Sequence, residues 1–200
     1  MGRACLKTKF WFLVRLRYKL EVEILLARAN RLINHGPVVL VTSQYKDKTN
    51  IVTLAWVTPV SHNPPLVAIC IHKNHFSHEL IKESKEFVIN VPGEDLIEKV
   101  HACGTVSGRE VDKFQKFGLT PIKAKKVSPP LIAECFAHLE CKVEKIYPGG
   151  DHSIFLGEVV YVQVEEGLFS EFLDVEKVKT LHHLGANLYT TPARIIKVAD

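Results

Sequence analysis

The sequence predicts a mainly β protein, an antiparallel barrel with a few appended short helices. Three observations support this fold class. Six or seven short runs of β-branched and apolar residues follow one another along the chain. Pro, Gly and polar turns separate several of these runs at hairpin spacing. Helical patterns do not alternate regularly with the runs, which disfavours a doubly wound parallel sheet and favours a barrel.

The first strands are defined by their turns. Val38–Thr42 and Ile51–Val60 flank the polar turn 46–49, and we expect them to pair as a hairpin. Asn-Pro-Pro at 63–65 interrupts the chain before a third strand over Leu66–Ile71. A fourth strand is predicted over Phe87–Val91, where Pro and Gly follow.

Short helices are predicted around and after the fourth strand. The Ser77 hydroxyl can cap the first turn of a helix over Glu79–Lys85. Helical patterns also cover Glu94–Ala102 and Arg109–Phe117. Gly118 is suited to end the last of these helices.

The C-terminal part contains a second predicted hairpin. A long β segment over Leu131–Tyr147 meets Pro-Gly-Gly-Asp at 148–151, and a second segment over His152–Val164 returns alongside it. The tail from Val175 contains a further apolar segment with His182, His183, Gly185 and Tyr189.

The net charge of +4 is unevenly distributed along the 200 residues. Residues 1–35 carry eight basic and two acidic residues, net +6, whereas the remainder carries 18 basic and 20 acidic residues, net −2. Because the body is not basic, we expect no nucleic-acid-binding surface. Residues 12–24 alternate as a half-buried strand does, and 24–33 have helical spacing. This N-terminal segment is a packed strand, a surface-binding arm, or sequence upstream of the true start; the regular alternation favours packed structure.

Composition and missing motifs exclude several classes of protein. The five cysteines are scattered without a CxxC pair, which favours buried free thiols in a reducing, cytoplasmic setting. The N-terminal segment contains no apolar stretch long enough for a membrane span or a signal peptide. Phosphate-loop, GxGxxG, GxSxG and HExxH motifs are also absent from the sequence.

The densest polar cluster is His-Lys-Asn-His-Phe-Ser-His at 72–78. It follows a predicted buried strand and opens a predicted helix, whose backbone N–H groups can bind an anion. A phosphate site and a solvated loop are both compatible with this pattern. A metal site is disfavoured because no acid or cysteine completes the ligand set.

Three further features could contribute to a binding site. Asn50–Trp56 combines small and amide residues with a tryptophan, which suits either a flat polar ring or an ordinary core strand. Lys113 lies in a polar helix start, pointing either inward at a phosphate or out to solvent. His152 lies at the mouth of the second hairpin, where it is catalytic or simply structural.

Taken in order, these stretches resemble the flavin reductase-like family of FMN-binding split-barrel proteins, which includes flavoredoxins. The resemblance covers about Leu32–Tyr189, and the first 31 residues lie outside it. It rests on Gly-Pro-Val-Val-Leu-Val-Thr-Ser (36–43), Asn50–Trp56 with Thr-Pro-Val-Ser (58–61), Glu-Phe-Val-Ile-Asn-Val-Pro (86–92), 107–114, and Gly-Asp-His (150–152) followed by 155–159.

The resemblance implies a six-stranded antiparallel Greek-key split barrel over 32–200, preceded by an amphipathic extension over 1–31. It implies a homodimer with FMN near the interface. The strand over Asn50–Trp56 would line the isoalloxazine ring, and the His-rich loop at 72–78 would meet the ribityl phosphate. Lys113 would face the flavin or its phosphate. The tail around Leu184–Tyr189 would close over the flavin. The expected cofactor-binding residues are Asn50, Thr53, Leu54, Ala55, Trp56, Ser61, His72, Lys73, Asn74, His75, Ser77, Lys113, Asp151, His152 and Ser153.

The expected function is that of an oxidoreductase in which NADH or NADPH reduces FMN and electrons pass to an acceptor. His152 is the candidate catalytic residue, orienting the nicotinamide or relaying a proton. The alternative is an electron-transfer protein of the flavoredoxin type, with tightly bound FMN reduced by a protein partner. A flavin-binding homologue without catalysis is the third possibility.

Overall fold

The computed structural model describes residues 23–198. The chain divides into two units, residues 1–32 and 33–200, which are described separately. In the first unit, Leu26–Leu32 forms a 3-10 helix where the sequence predicts helical structure over 24–33. The predicted strand over 12–24 falls, apart from its last two residues, outside the described residues.

The second unit is built around one antiparallel sheet of seven strands. Its order is β2-β1-β5-β8-β9-β4-β3. The strands of this sheet are β1 (Val39–Tyr45), β2 (Lys48–Leu54), β3 (Val57–His62), β4 (Pro65–His72), β5 (Glu86–Val91), β8 (Ala137–Gly149) and β9 (His152–Val164).

Smaller elements complete this unit. Two short two-stranded sheets pair β6 (Pro121–Ile122) with β7 (Leu131–Ile132), and β10 (His182–Gly185) with β11 (Leu188–Thr190). A 3-10 turn over Glu94–Leu96 precedes the second α-helix. The α-helices are α1 (Phe76–Ser84), α2 (Ile97–Thr105) and α3 (Lys113–Phe117).

The predicted fold class is confirmed: a large antiparallel sheet dominates and the helices are few and short. Both predicted hairpins form, as β1–β2 and β8–β9. The sheet has one strand more than the six expected, because the predicted run Ile51–Val60 breaks at Ala55 and Trp56. After that break, β3 pairs with β4 and is not part of the β1–β2 hairpin.

Alternation along the strands separates two apolar layers. One layer lies inside the curved sheet and includes Val41, Val52, Ile69, Phe87 and Phe155. The other lies outside β1 and β2, where α2 and α3 cover the sheet. Its members include Leu40, Ile51, Val100, Cys103 and Phe114. The outer face of β2 therefore packs against α2 and α3.

Two predicted helix starts are wrong. Helix α1 begins at Phe76 after an N-cap at His75, so Ser77 lies inside the helix and does not cap it. Helix α3 begins at Lys113 and not at 109, because the Asp112 carboxylate accepts the backbone N–H of Gln115 and ends the preceding loop. The predicted stop at Gly118 is confirmed by its left-handed φ of 58°.

The C-terminal tail folds back onto the start of β1. The Val38 N–H donates to the Leu181 carbonyl at 2.7 Å, and Pro37 bridges to His182. These contacts bring the β10–β11 hairpin close to the outer face of β2 and to α2. A wall of the site described below is therefore formed by residues from the end of the chain.

Candidate functional site

A pocket of about 280 Å³ lies between β2, the start of α1 and the loop after α2. We call it the Lys113 pocket. Four predicted cofactor residues other than Lys113 itself line it: Asn50, Thr53, Asn74 and His75. Its other lining residues are Val52, Phe76, Cys103, Gly104, Thr105, Val106, Ser107 and Gly108.

The Lys113 side chain is buried, with only 5% of its surface exposed. Its Nζ donates to the carbonyl of Ile51 at 2.7 Å and to the carbonyl of Cys103 at 2.6 Å. Among the residues that the structure describes, no carboxylate lies within ion-pair distance of this ammonium group. Burial lowers the pKa of Lys113, whereas the nearby Cys103 raises it. An anion in the pocket would supply the missing countercharge.

Asn50 lines the same pocket and is only 4% exposed. Its Nδ2 donates to the Ser77 hydroxyl at 2.9 Å, and Ser43 also donates to that hydroxyl at 3.0 Å. Its Oδ1 is buried without a hydrogen-bond partner in the described part of the chain. A buried acceptor without a partner is costly, and a ligand donor that reached this oxygen would relieve that cost.

Gly108 makes room for the Asn50 amide. A Cβ built at position 108 would overlap the Asn50 carboxamide. The loop 106–112 can therefore approach β2 only because residue 108 has no side chain.

Arg109 holds the loop that precedes α1. Its guanidinium donates to the Asn74 carbonyl at 3.2 Å and to the Glu79 carboxylate at 2.7 Å. The same group lies 4.9 Å from the centre of the Phe76 ring. The 72–76 loop is thereby joined to the loop that carries Gly108, and the two loops form facing walls of the Lys113 pocket.

A cluster of imidazole and indole rings adjoins this pocket through His75. His72 lies 5.6 Å from His75 and 5.0 Å from His152 between ring centres, and Trp56 lies 4.7 Å from His152. The Asp151 carboxylate lies 2.6 Å from His152 Nδ1. The hydrogen bond from His152 lowers the pKa of Asp151. Desolvation, and then the positive charges of neighbouring groups led by His72, lower the pKa of His75.

A second pocket of about 240 Å³ shares Thr53, Gly104 and Thr105 with the first. We call it the Tyr189 pocket. Its other lining residues are Val38, Ala55, His101, His183, Ala186 and Tyr189. The two pockets therefore adjoin at these three shared residues.

Several predicted residues are oriented elsewhere. The Leu54 side chain belongs to the core inside the sheet. Ser77 is fully buried beneath Asn50, and Ser153 is bonded to His78 at 2.9 Å. The Lys73 ammonium donates to the Gly150 carbonyl, which joins the His-rich loop to the β8–β9 turn. Ser61, on β3, does not line either pocket.

The sequence did not predict the contribution of the end of α2, of the loop that follows it, or of His101. The run Gly-Thr-Val-Ser-Gly at 104–108 contributes five residues to the pocket walls. Its two glycines between two helical patterns are the signal that could have indicated a close approach to a ligand or to another strand. His101 carries no local signal, because its partner Tyr189 lies 88 positions away in the sequence.

A family model described as "Flavin reductase like domain" matches residues 32–184. The chain belongs to the flavin reductase-like family. The matched region contains all seven strands of the large sheet, all three α-helices and every residue of the Lys113 pocket. It ends within β10, so Ala186 and Tyr189 lie beyond the match.

Solved structures and characterised relatives show what this chain is similar to. Flavoredoxin from Methanosarcina acetivorans has a TM-score of 0.81 at 29% identity, covering 90% of this chain and 96% of that chain. The FMN-binding protein from Thermus thermophilus, solved with bound 1-cyclohex-2-enone, has a TM-score of 0.76 at 26% identity, covering 91% and 98%. The NADH-dependent FAD reductase from Streptomyces globisporus is 36% identical over 105 residues, 52% of this chain and 56% of that protein.

The described residues also bear on two general properties. Within residues 23–198, none of the helices combines the length and the apolar character needed to span a bilayer. The same part of the chain contains no convergent group of three or more His, Cys, Asp or Glu side chains able to hold a metal ion.

Proposed function

We propose that this protein binds FMN and acts as an NAD(P)H-dependent flavin reductase. The observation that carries the proposal is the buried Lys113 ammonium group, which has two carbonyl partners and no carboxylate in a pocket lined by polar loops. A phosphate, or the electron-rich edge of a flavin, satisfies such a group. The FMN-binding relative from Thermus thermophilus supports FMN as the ligand.

The residues of the Lys113 pocket fit the polar parts of a flavin mononucleotide. Asn50 Oδ1 is an unpartnered acceptor that suits a ring N–H or a ribityl hydroxyl. The first turn of α1 begins at Phe76, and helix geometry leaves its first backbone N–H groups without partners in the preceding turn, which suits a phosphate together with Asn74 and His75 from the preceding loop. Thr53 on β2 and Ala55, directly after the strand, line the adjoining Tyr189 pocket, and we propose that the isoalloxazine ring lies along them.

When bound, FMN supplies the hydride chemistry, accepting two electrons from a nicotinamide and passing them to an acceptor. The protein provides binding, orientation and charge. We propose that the Trp56 ring, 36% exposed and packed on His152, is the platform for the nicotinamide. Asp151 would fix the His152 tautomer through Nδ1, which leaves Nε2 free to orient the carboxamide or relay a proton.

A flavoredoxin-type electron carrier is the second candidate. The similarity to flavoredoxin from Methanosarcina acetivorans over nearly the whole chain favours it. In that case FMN would stay bound and a redox protein would deliver the electrons. The exposed edge of the Trp56–His152 cluster would then face the partner protein.

We further propose, from the family resemblance, a homodimer with the flavin near the interface and a cytoplasmic location. Residues 1–31 would form an extension and 32–200 the flavin-binding domain. Size-exclusion chromatography with light scattering tests the dimer. A monomer that binds FMN fully would contradict the interface site.

The decisive experiment is the absorption spectrum of the purified protein, followed by anaerobic addition of NADH and NADPH in the presence of FMN. Bleaching of the flavin band by either nucleotide, with turnover in air, is expected for a reductase. Bound flavin that only a protein donor reduces would favour the carrier. A protein that binds no flavin by spectrum or titration would contradict both candidates.

The Lys113→Met variant tests the observation that carries the proposal. We expect FMN affinity to fall about tenfold to a hundredfold, because a charge-assisted bond is lost. Lys99→Met is the matched control, since the Lys99 ammonium also donates to a backbone carbonyl, that of Gly118, outside both pockets. Equal FMN affinities for the wild type and Lys113→Met, measured by flavin fluorescence, would refute the role.

A further inference from the structure

The Tyr189 pocket differs chemically from the Lys113 pocket beside it. Its polar side chains are Thr53, Thr105, His101, His183 and Tyr189, and no lysine, arginine or carboxylate lines it. The remaining wall includes small apolar groups from Val38, Ala55 and Ala186. Uncharged walls with a few directed polar atoms suit a neutral planar ligand and not a phosphate.

The polar atoms of this pocket are organised around one hydroxyl. Tyr189 Oη lies 3.1 Å from His101 Nδ1, and the two rings meet edge to face at 6.0 Å. His183 packs against the Tyr189 ring at 5.1 Å, and its Nε2 lies 3.0 Å from the Ala186 carbonyl. Burial raises the pKa of Tyr189, so the hydroxyl keeps its proton at neutral pH.

The Tyr189–His101 pair does not hold the tail in position on its own. The tail is anchored upstream, through Leu181 to Val38 and through the bridge from His182 to Pro37. The hairpin also has its own ladder between β10 and β11. A hydroxyl–imidazole pair facing a pocket, in a segment already anchored elsewhere, is available for a ligand.

The volume limits what can enter. An engineered cavity of about 150 Å³ holds benzene, so a pocket of about 240 Å³ has space for one or two fused rings and not for a whole dinucleotide. The ring would lie against Thr53 and Ala55, facing Tyr189.

We propose that the Tyr189 pocket binds a planar ring bearing a carbonyl oxygen, and that the Tyr189 hydroxyl donates a hydrogen bond to that oxygen. His101 is a positioning residue: in the tautomer that we propose, with the proton on Nδ1, it donates to Tyr189 Oη, which leaves the hydroxyl proton for the ligand. Two sources share this chemistry, the carbonyl edge of the flavin held in the adjoining pocket and a separate single-ring carbonyl acceptor. The first source rests on the proposed function, and the second does not.

The test compares wild type with Tyr189→Phe by isothermal titration calorimetry, using FMN and p-hydroxybenzaldehyde as probes. Loss of one neutral hydrogen bond is expected to weaken binding roughly threefold to tenfold. Tyr161→Phe is the matched control, because its hydroxyl bonds to Lys125 on the surface of the sheet. Unchanged thermal unfolding of the variant confirms that the fold is retained.

The pattern of losses identifies the ring. Weaker FMN binding by Tyr189→Phe indicates the flavin edge. Unchanged FMN binding, with weaker p-hydroxybenzaldehyde binding to the protein alone, indicates a separate acceptor. Both results support the proposal, whereas unchanged affinity for both probes overturns it. Failure of the wild type to bind FMN contradicts the proposed function alone, since the p-hydroxybenzaldehyde titration still decides this inference.

Variants at His101 separate positioning from packing. His101→Asn keeps an amide donor near the position of Nδ1 and should restore most of the affinity lost in His101→Leu. A structural role alone would not distinguish the two variants by ligand affinity at equal stability. Equal affinity of His101→Leu and wild type for both probes would also overturn the proposal.

Discussion

At the scale of single residues, the Lys113 pocket depends on buried polar groups that protein partners satisfy only in part. Lys113 has two carbonyl acceptors and no countercharge, and Asn50 has one partnered and one unpartnered amide atom. Such groups cost stability unless something else satisfies them. The presence of both groups in one pocket supports our proposal of a polar ligand.

Gly108→Ala tests how tightly this arrangement is packed. The new methyl group would overlap the Asn50 amide and push it away from the Ser77 hydroxyl. We expect flavin affinity to fall at least about tenfold, comparable to the loss of a buried polar contact of about 1.4 kcal/mol. Titration of FMN followed by fluorescence measures the change.

Gly36→Ala is the control for that substitution, because a Cβ at position 36 meets only the Ala55 carbonyl at 3.8 Å, an ordinary contact. We expect its flavin affinity to match the wild type. A Gly108→Ala protein with wild-type affinity would show that Asn50 does not contribute to the site.

At the scale of elements, short capped helices orient the functional side chains. Helix α3 has only five residues, and Lys113 is the first of them. Its start is fixed by Asp112, whose Oδ1 accepts the Gln115 N–H at 3.2 Å. The direction of the Lys113 side chain therefore depends on an N-cap one residue away.

Asp112→Ala should destabilise the protein by about 1 kcal/mol, the usual cost of losing an N-cap. Asp112→Asn retains an oxygen acceptor at the same position and should lose much less. Urea unfolding of both variants measures the difference. Equal stabilities for the alanine and asparagine variants would show that the cap does not hold α3.

Close strand packing is a second feature at this scale. Gly157 in β9 lies beneath Phe87 of β5, and a Cβ there would stand 2.6 Å from the ring. We expect Gly157→Ala to cost about 1–3 kcal/mol through overpacking of the interior. Gly149→Ala, whose Cβ would have only contacts of 3.6 Å or more, should change the free energy of unfolding little. A tolerated Gly157→Ala would mean that Phe87 can move within the core.

Some elements could be predicted from sequence and others could not, for physical reasons. The β1–β2 and β8–β9 hairpins follow from turn residues between apolar runs, which are local signals. The break at Ala55 and Trp56 could not be predicted, since the β-rich pattern continues across it. The Lys113 pocket was predicted in part, through Asn50, Thr53, Asn74, His75 and Lys113. The pairing of His101 with Tyr189 arises only when the tail folds back onto β1.

At the scale of the whole molecule, several histidines of the sheet unit lie in environments that disfavour their charge. Burial lowers the pKa of His138, which bonds through Nε2 to the Ile132 carbonyl. Burial and nearby lysines lower the pKa of His78. Because the two histidines lie on different elements, β8 and α1, their protonation affects the stability of the sheet and not of one loop alone.

These shifts predict how stability depends on pH. Each of these histidines has a native pKa below its ordinary value of 6.5, so the unfolded chain binds more protons as the pH falls. The stabilisation is fully present above that value and is lost below it, so the unfolding free energy should fall between about pH 7.5 and about pH 5.5.

Urea unfolding across this range should show a smaller loss for His138→Gln, whose amide can still donate to Ile132. His62→Gln, at an exposed position, should keep the wild-type slope. A wild-type stability that is flat or rises toward acid would contradict the prediction, because carboxylates with lowered pKa, such as Glu134, lose their contribution only at more acidic pH.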